Sequence, residues 1–451
     1  MPVFAWAADA IWFPWLLGLF LFVGLYYSLR TGFFQLFGIR RWFGDTAGSL
    51  LRAGRRQGKG ITRLQALTTA LASTIGTGSV TGVATAIWFG GPGAVFWMWV
   101  SALLGMMTGC AEKILTLRWR RMGADGTWRG GPMYYLADGM NCRVLAIWFS
   151  VACIGGALTG GGMVQTNAIA QSLERAAGAN RLWVGVAVAG LTGVVLLGGI
   201  GRIARVSQVL MPIMAFLFLG SAGAVLWLCR AQLPGAVALI VKSALSPQSA
   251  VGGVGAAAAL RYGVARGVFT NEAGMGSTAI AHANADTKQP GEQGMWGMFE
   301  AFFATLVVCT ATSLVILCAG VYDPVTAGVG ADVGVSLAAD SFGRVLGPTG
   351  ARLVEVSVVL FAFSSVLGWS FYGQAAVEWL FAGRRTRMVW LCTFLAACIW
   401  GSVAPAELVW QLVDLFSGLM ALPNLAALIF LSPQVLLELQ KYIEHKETQN
   451  L

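Results

Sequence analysis

The sequence predicts an all-α protein that crosses a membrane about eleven times. Two observations establish the class. Apolar residues make up 57% of the 451 and charged residues only 11%, whereas a soluble domain carries about 25% charged residues. The apolar residues also fall in long runs from Ile11 to the region of Leu431, and the charges gather in the short breaks between them. Most of the outer surface must therefore face lipid, in one membrane domain spanning 1–451 with no sizeable soluble part.

A helix needs about 20 apolar residues to cross the hydrocarbon layer. The candidate spans are 11–29, 63–90, 92–117, 144–172, 182–200, 206–229, 262–284, 295–321, 350–381, 388–403 and 408–431. The stretch 433–446 is amphipathic and reads as a helix lying along the membrane surface. The first span has no Lys or Arg before it and Arg30 after it. It reads as a retained helix with its N-terminus outside, not as a signal peptide.

Basic residues set the orientation. One loop holds Arg30, Arg40, Arg41, Arg52, Arg55, Arg56, Lys59 and Arg63, and a second holds Arg118, Arg120, Arg121 and Arg129. Arg202 and Arg205 mark a third, and Arg384, Arg385 and Arg387 a fourth. Helix counting puts all four on one side, with the tail that carries Lys441 and Lys446. Positive charge marks the cytoplasmic side, so the N-terminus is expected outside and the C-terminus in the cytoplasm. The opposite loops hold Asp323, Asp332 and Asp340. The net charge of +10 is thereby read as an orientation signal, not as a nucleic-acid footprint.

The eight cysteines include no Cys-x-x-Cys pair. Cys110, Cys153, Cys309, Cys318, Cys392 and Cys398 lie in or beside apolar runs and read as small buried side chains. His282 and His445 are too few and too far apart for a metal site. The chain has no His-Glu-x-x-His, no Gly-x-Ser-x-Gly and no Gly-x-x-x-x-Gly-Lys-Ser/Thr. An intramembrane hydrolase and a nucleotide-driven pump lose their usual signatures, and no enzyme activity is expected.

Two spans are interrupted. The second reads Ala70-Leu-Ala-Ser-Thr-Ile-Gly-Thr-Gly-Ser-Val-Thr-Gly82, and the seventh Gly263-Val-Ala-Arg-Gly-Val-Phe-Thr-Asn-Glu-Ala-Gly-Met-Gly-Ser277. Each places Gly-x-Gly near mid-membrane among hydroxyl or amide side chains. Glycine costs about 1 kcal/mol in a helix interior, and lipid cannot satisfy freed backbone groups. An unwound stretch survives only against protein or a cavity. Paired interruptions in two halves of a chain point to a transporter site. Freed amides at a half-helix N-terminus suit a carboxylate, and freed carbonyls suit a sodium ion. The competing reading is close packing, for which membrane glycines are common. Glu272 inside the seventh span is functional by default, or it caps the broken end. Gln165 in the fourth span offers donor and acceptor, for a ligand or for an interhelical bond. Ser364 and Ser365 in the ninth span complete an oxygen cage or back-bond to their own helix.

These blocks resemble the alanine or glycine:cation symporter family. The resemblance is carried by Gly76-Thr-Gly-Ser-Val-Thr-Gly-Val-Ala-Thr-Ala-Ile, Gly90-Gly-Pro-Gly-Ala-Val-Phe-Trp-Met-Trp99 and Gly130-Gly-Pro-Met-Tyr-Tyr135. Gly267-Val-Phe-Thr-Asn-Glu-Ala-Gly-Met-Gly-Ser277 and Gly294-Met-Trp-Gly-Met-Phe-Glu300 belong to it too. It implies the leucine-transporter fold, with inverted five-helix repeats at 63–229 and 262–431 preceded by one extra helix at 11–29. It implies uptake of alanine or glycine with sodium, or sometimes protons, across the plasma membrane, the inner membrane of a bacterium, by a monomer with no other cofactor. The residues implied for the substrate are Thr74, Ile75, Gly76, Thr77 and Gly78 from the first break, and Gly160 and Gln165 from the fourth span. Phe269, Thr270, Asn271, Gly274 and Met275 would contribute from the second break, with Phe269 and Met275 keeping the pocket small. For sodium the implied ligands are the carbonyls of Ala72, Ile75 and Phe361 and the hydroxyls of Ser364 and Ser365. The chain departs from the family pattern at Ser79, where Asn is usual, and at Thr270, where Ser is commoner. Glu272, Glu112 and Glu300 are the candidate carriers if the coupling ion is a proton, and Glu112 is otherwise expected to partner Arg118 or Arg121.

Overall fold

The computed structural model describes residues 10–50, 63–123, 126–245, 255–287, 289–323, 327 and 333–449. Arg52, Arg55, Arg56, Lys59 and Asp332 lie outside these. In chain order the main helices are α1 (Leu17–Arg30), α2 (Arg63–Thr74), α3 (Thr81–Gly90), α4 (Gly93–Trp119), α5 (Arg143–Gly156) and α6 (Val164–Ala177). Then come α7 (Arg181–Leu196), α8 (Gly199–Leu228), α9 (Leu233–Leu245), α10 (Ala256–Asn271), α11 (Ser277–His282), α12 (Pro290–Ala301) and α13 (Thr310–Ala319). The chain closes with α14 (Val333–Leu380), α15 (Arg384–Val403), α16 (Ala406–Phe430) and α17 (Ser432–Gln449). Wider π turns at Ala157–Met163 and Phe302–Cys309 join α5 to α6 and α12 to α13.

Counted with those joins, seven helices among the described residues are long and apolar enough to cross a membrane. The polarity is inside out relative to a soluble protein. Trp183, Leu197, Phe216 and Trp227 are exposed, while Glu112, Lys113, Glu272, His282 and Glu300 are buried. Lipid on the outside and obligatory polar satisfaction on the inside produce this pattern. Helices α4 and α12 approach closely because Gly109 faces Gly297: a Cβ on Gly297 would stand 2.6 Å from the Gly109 oxygen. Gly155 and Gly156 likewise let α5 lie against Phe416 and Met420 of α16.

Three features differ from the sequence expectation. Helix α9 and the first part of α14, residues 333–346, are helical where loops were expected. Both are short, so a 20-residue window does not find them. Gly347, at φ 69°, and Pro348 then bend α14 sharply, because proline has no N–H and the glycine adopts a conformation costly for other residues. Finally, α17 packs its apolar stripe on the protein itself. Val435, Leu439 and Tyr442 are buried, Trp119 Nε1 donates to Gln434 at 3.0 Å, and Arg118 pairs with Glu438 at 2.6 Å.

The basic loops share one end of the molecule. Arg129, the turn 198–201 and Arg387 line a single cavity there, and Arg41 pairs with Glu447 in the tail at 2.8 Å.

Candidate functional site

Both interrupted spans are broken helices. Helix α2 stops at Thr74, a single 3₁₀ turn covers Thr77–Ser79, and α3 begins at Thr81. Close approach explains Gly76: a Cβ there would overlap the Ser365 hydroxyl and lie 3.2 Å from Gln165 Oε1. Gln165 Oε1 accepts from the Thr77 amide at 3.2 Å, and its Nε2 donates to the Gly160 carbonyl at 3.0 Å. The glutamine thus ties the first break to the π turn that ends α5. A Cβ on Gly78 would stand 3.1 Å from Thr270 Oγ1 and 3.2 Å from the Phe269 ring. Thr77 Oγ1 is buried with no hydrogen-bond partner among the described residues. Ser79 is buried in the turn, and its carbonyl accepts from Thr312 at 2.8 Å.

Helix α14 places two hydroxyls beside this break. Ser364 donates to the Ala72 carbonyl at 2.7 Å and approaches the Phe361 carbonyl at 2.8 Å. Ser365 lies 3.2 Å from the Ala72 carbonyl and 2.8 Å from that of Ser73. Four of the five groups expected around sodium therefore converge, and Ile75 follows Ala72 by three residues in the chain. An all-oxygen set of carbonyls and hydroxyls has the chemistry of a hard-cation site.

The second break is more contorted. Glu272, Gly274 and Gly276 all take positive φ, at 53°, 88° and 76°, which suits glycine and is uncommon for glutamate. Phe269 and Thr270 face the first break, whereas two other expected residues lie against other helices. Asn271 lies against Gly105 of α4 and Gly274 against Phe20 and Leu425, while Met275 belongs to the large core cluster that also holds Ile75 of the first break. The Glu272 carboxylate accepts from the Ser277 hydroxyl at the start of α11.

Glu112 partners neither Arg118 nor Arg121, contrary to expectation. Those arginines pair with Glu438 and Asp138. One Glu112 oxygen accepts from the amides of Gly274 and Gly276 and from Asn424 Nδ2, at 2.8, 2.9 and 2.7 Å. Helix α4 points this residue inward, and the freed amides of the break supply the donors that its burial requires.

Helix α16 supplies a cover absent from the sequence expectation. Trp410 packs edge-on to Phe269 with centroids 5.4 Å apart, and the Arg266 guanidinium lies 4.4 Å over the indole. Arg266 also grips Asp414 through two bonds of 2.9 and 3.3 Å. Val413 stands 3.7 Å from where a Gly160 Cβ would be. The signal for this pair was legible: Arg266 and Asp414 are charged residues inside membrane spans.

On the other side, the Ser73 and Tyr372 hydroxyls are bonded and Trp369 packs on Gly161. Beyond them, at the basic end, a cavity of about 300 Å³ opens between Arg129, Tyr134, Ile203, Ile280, Gln374 and Glu378. Outside Trp410 there is room for only about 20 Å³. Arg120 clasps the chain after α11 through the carbonyls of Ala283, Ala285 and Thr287. Burial pushes its pKa down to about 10, opposed by Asp286, so it stays charged at neutral pH.

Comparison with known proteins adds four findings. The model of the sodium:alanine symporter family matches residues 1–451. The sodium/alanine symporter AgcS of Methanococcus maripaludis is 37% identical over 97% of this chain and 96% of its own. The probable sodium/glutamine symporter GlnT of Bacillus subtilis is 35% identical over 98% of this chain and 90% of its own. Among solved structures, MhsT in complex with L-phenylalanine superposes with a TM-score of 0.58 at 15% identity, covering 86% of this chain and 99% of that one. At that identity the likeness concerns the fold alone.

Proposed function

Since the chain belongs to the sodium:alanine symporter family, we propose that it takes up alanine and/or glycine together with sodium by alternating access. The observation that carries this reading is the convergence of Ser364, Ser365 and the Ala72 carbonyl beside Gly76, the point where α2 breaks. Sodium is held there by the carbonyls of Ala72, Ile75 and Phe361 and the two serine hydroxyls. The substrate carboxylate lies along Thr74 to Gly78, where the amides of the break face it. Gly160 and Gln165 line the site from the turn joining α5 to α6. Phe269 and Thr270 close it from the second break, and Asn271, Gly274 and Met275 shape the backbone of that break. Phe269 and Val413 limit the side chain, since one extra methylene in a packed site is costly.

In this reading the molecule has eleven crossings, with an inverted repeat of five and five after α1, and acts as a monomer in the plasma membrane. The basic end is cytoplasmic, which puts the N-terminus outside. The bundle containing both breaks rocks against the remaining helices, and the cavity at the basic end is the release path. Sodium moving inward contributes about 2.3 kcal/mol per 100 mV, plus its concentration term.

Counterflow separates this mechanism from a channel. Vesicles preloaded with unlabelled alanine should transiently concentrate labelled alanine, and Ser364→Ala with Ser365→Ala should raise the sodium concentration for half-activation at least tenfold. Activation unchanged in that double variant would remove sodium from this site. Replacing sodium by choline at fixed pH then distinguishes sodium from proton coupling, for which Glu112, Glu272 and Glu300 are the carriers to test.

A further inference from the structure

The two breaks are joined by a buried ionic link. Glu112 and Lys113 are adjacent on α4, so their side chains diverge by about 100°. Glu112 turns to the second break and holds the Gly274 and Gly276 amides. Lys113 turns to the first half of the link. Its Nζ donates to Thr278 Oγ1 at 2.6 Å and lies 3.4 Å from Glu112 Oε2 and 3.2 Å from Glu300 Oε2. The other Glu300 oxygen accepts from the Thr74 hydroxyl at 2.6 Å, at the last residue of α2 before the first break. Glu300 Oε2 also lies 3.5 Å from His282 Nε2, at the end of α11. All of these side chains are buried. Lys113 reaches Glu300 because Gly297, one turn earlier on α12, presents no side chain: a Cβ there would stand 2.9 Å from Lys113 Cδ.

We infer that Lys113 is a positioning residue that couples the two helix breaks, so that ion binding at the first sets the geometry of the second. One ammonium bridges the carboxylate that grips the end of α2 and the carboxylate that grips the amides of the second break. A displacement of Thr74 toward a bound cation must move Glu300, and Lys113 with it. Lys113 in turn bears on Glu112 and on Thr278 of α11. An element whose arrangement both sites bias is the physical basis for coupling between them.

The inference rests on the sodium symport reading, and its test separates the two. Alanine binding to purified protein is measured at equilibrium with and without sodium. The ratio of the two dissociation constants is the coupling factor, typically 5 to 150-fold, on the order of such factors in general. The wild type should show at least about tenfold tightening by sodium. Lys113→Met keeps the side-chain stem and removes the charge, and should bring the factor below about threefold, while Lys113→Arg restores it in part. A merely structural role would lower the fraction of protein that binds and leave the factor unchanged, and that result overturns the inference while the sodium reading stands. Wild-type protein that binds alanine equally with and without sodium overturns both. Because Lys113→Met leaves two buried carboxylates unpaired, Glu112→Gln/Lys113→Met/Glu300→Gln is measured beside it. This uncharged triple variant should fold and lose the coupling factor, and a retained tenfold factor in it equally overturns the inference.

Discussion

Alanine at position 76 tests the ion site through a single methyl group. The Gly76 backbone has negative φ, so alanine brings no backbone strain and the effect is one of space. The added Cβ would overlap the Ser365 hydroxyl and crowd Ser365 Cβ and Gln165 Oε1, both at 3.2 Å. The relief available is rotation of Ser365 away from the Ala72 and Ser73 carbonyls, which removes one hydroxyl from the cage. Overpacking of this kind costs about 1–3 kcal/mol, equivalent to roughly a 5- to 150-fold weaker apparent affinity at 1.4 kcal/mol per tenfold. The assay is the sodium dependence of alanine uptake in vesicles containing equal amounts of protein. Gly82→Ala is the control: it lies in α3, where a Cβ meets nothing within 4 Å, and it should leave the sodium dependence unchanged. If Gly76→Ala keeps half-activation within twofold of the wild type, Ser365 is not an ion ligand and the site assignment fails.

Other perturbations probe the surroundings. Val413→Ala opens space opposite Gly160 and should extend uptake to larger neutral side chains such as glutamine, by competition against labelled alanine, with a stability loss of about 2 kcal/mol. Asp414→Asn weakens the hold on Arg266 and the Trp410 cover. About 1–2 kcal/mol of stability should be lost, since hydrogen bonds to charged groups contribute about 1.5–3 kcal/mol and Asp414 is partly exposed. A thermal melt of purified protein measures it. Leu439→Ala removes a buried contact under α17 and should lower stability by about 2–4 kcal/mol in the same melt, whereas a helix resting only on lipid would lose almost none. Arg120→Ala leaves three carbonyls without their donor and should speed proteolysis in the segment after α11.

The membrane class and both helix breaks were legible because their signals are local. A glycine pair among hydroxyls inside an apolar run stands out whatever surrounds it, and so do adjacent serines in the ninth span. What surrounds the breaks was not local. Glu112 meets Gly274 across 162 positions, and periodicity on α4 cannot disclose the partner. The nearby Arg118 and Arg121 made a closer-lying but wrong match. Trp410 and Val413 sit in an ordinary apolar helix, so only the tertiary arrangement brings them over Phe269 and Gly160. Asn271 and Gly274 were placed at the substrate by resemblance. Asn271 instead ends α10 against Gly105 of α4, and the positive-φ turn that follows carries Gly274 to Phe20 of α1 and Leu425 of α16. Helix α9 and residues 333–346 were passed over because a window of membrane-spanning length averages short helices away.

The most direct measurement is uptake of radiolabelled alanine and glycine into proteoliposomes, with an inward sodium gradient against choline at the same pH. Coupled symport through the site beside Gly76 predicts accumulation above equilibrium with sodium only, and its collapse when a sodium ionophore dissipates the gradient. Equal uptake with sodium and with choline would contradict sodium coupling, and no uptake of either substrate in either condition would contradict the assignment of small amino acids to this site.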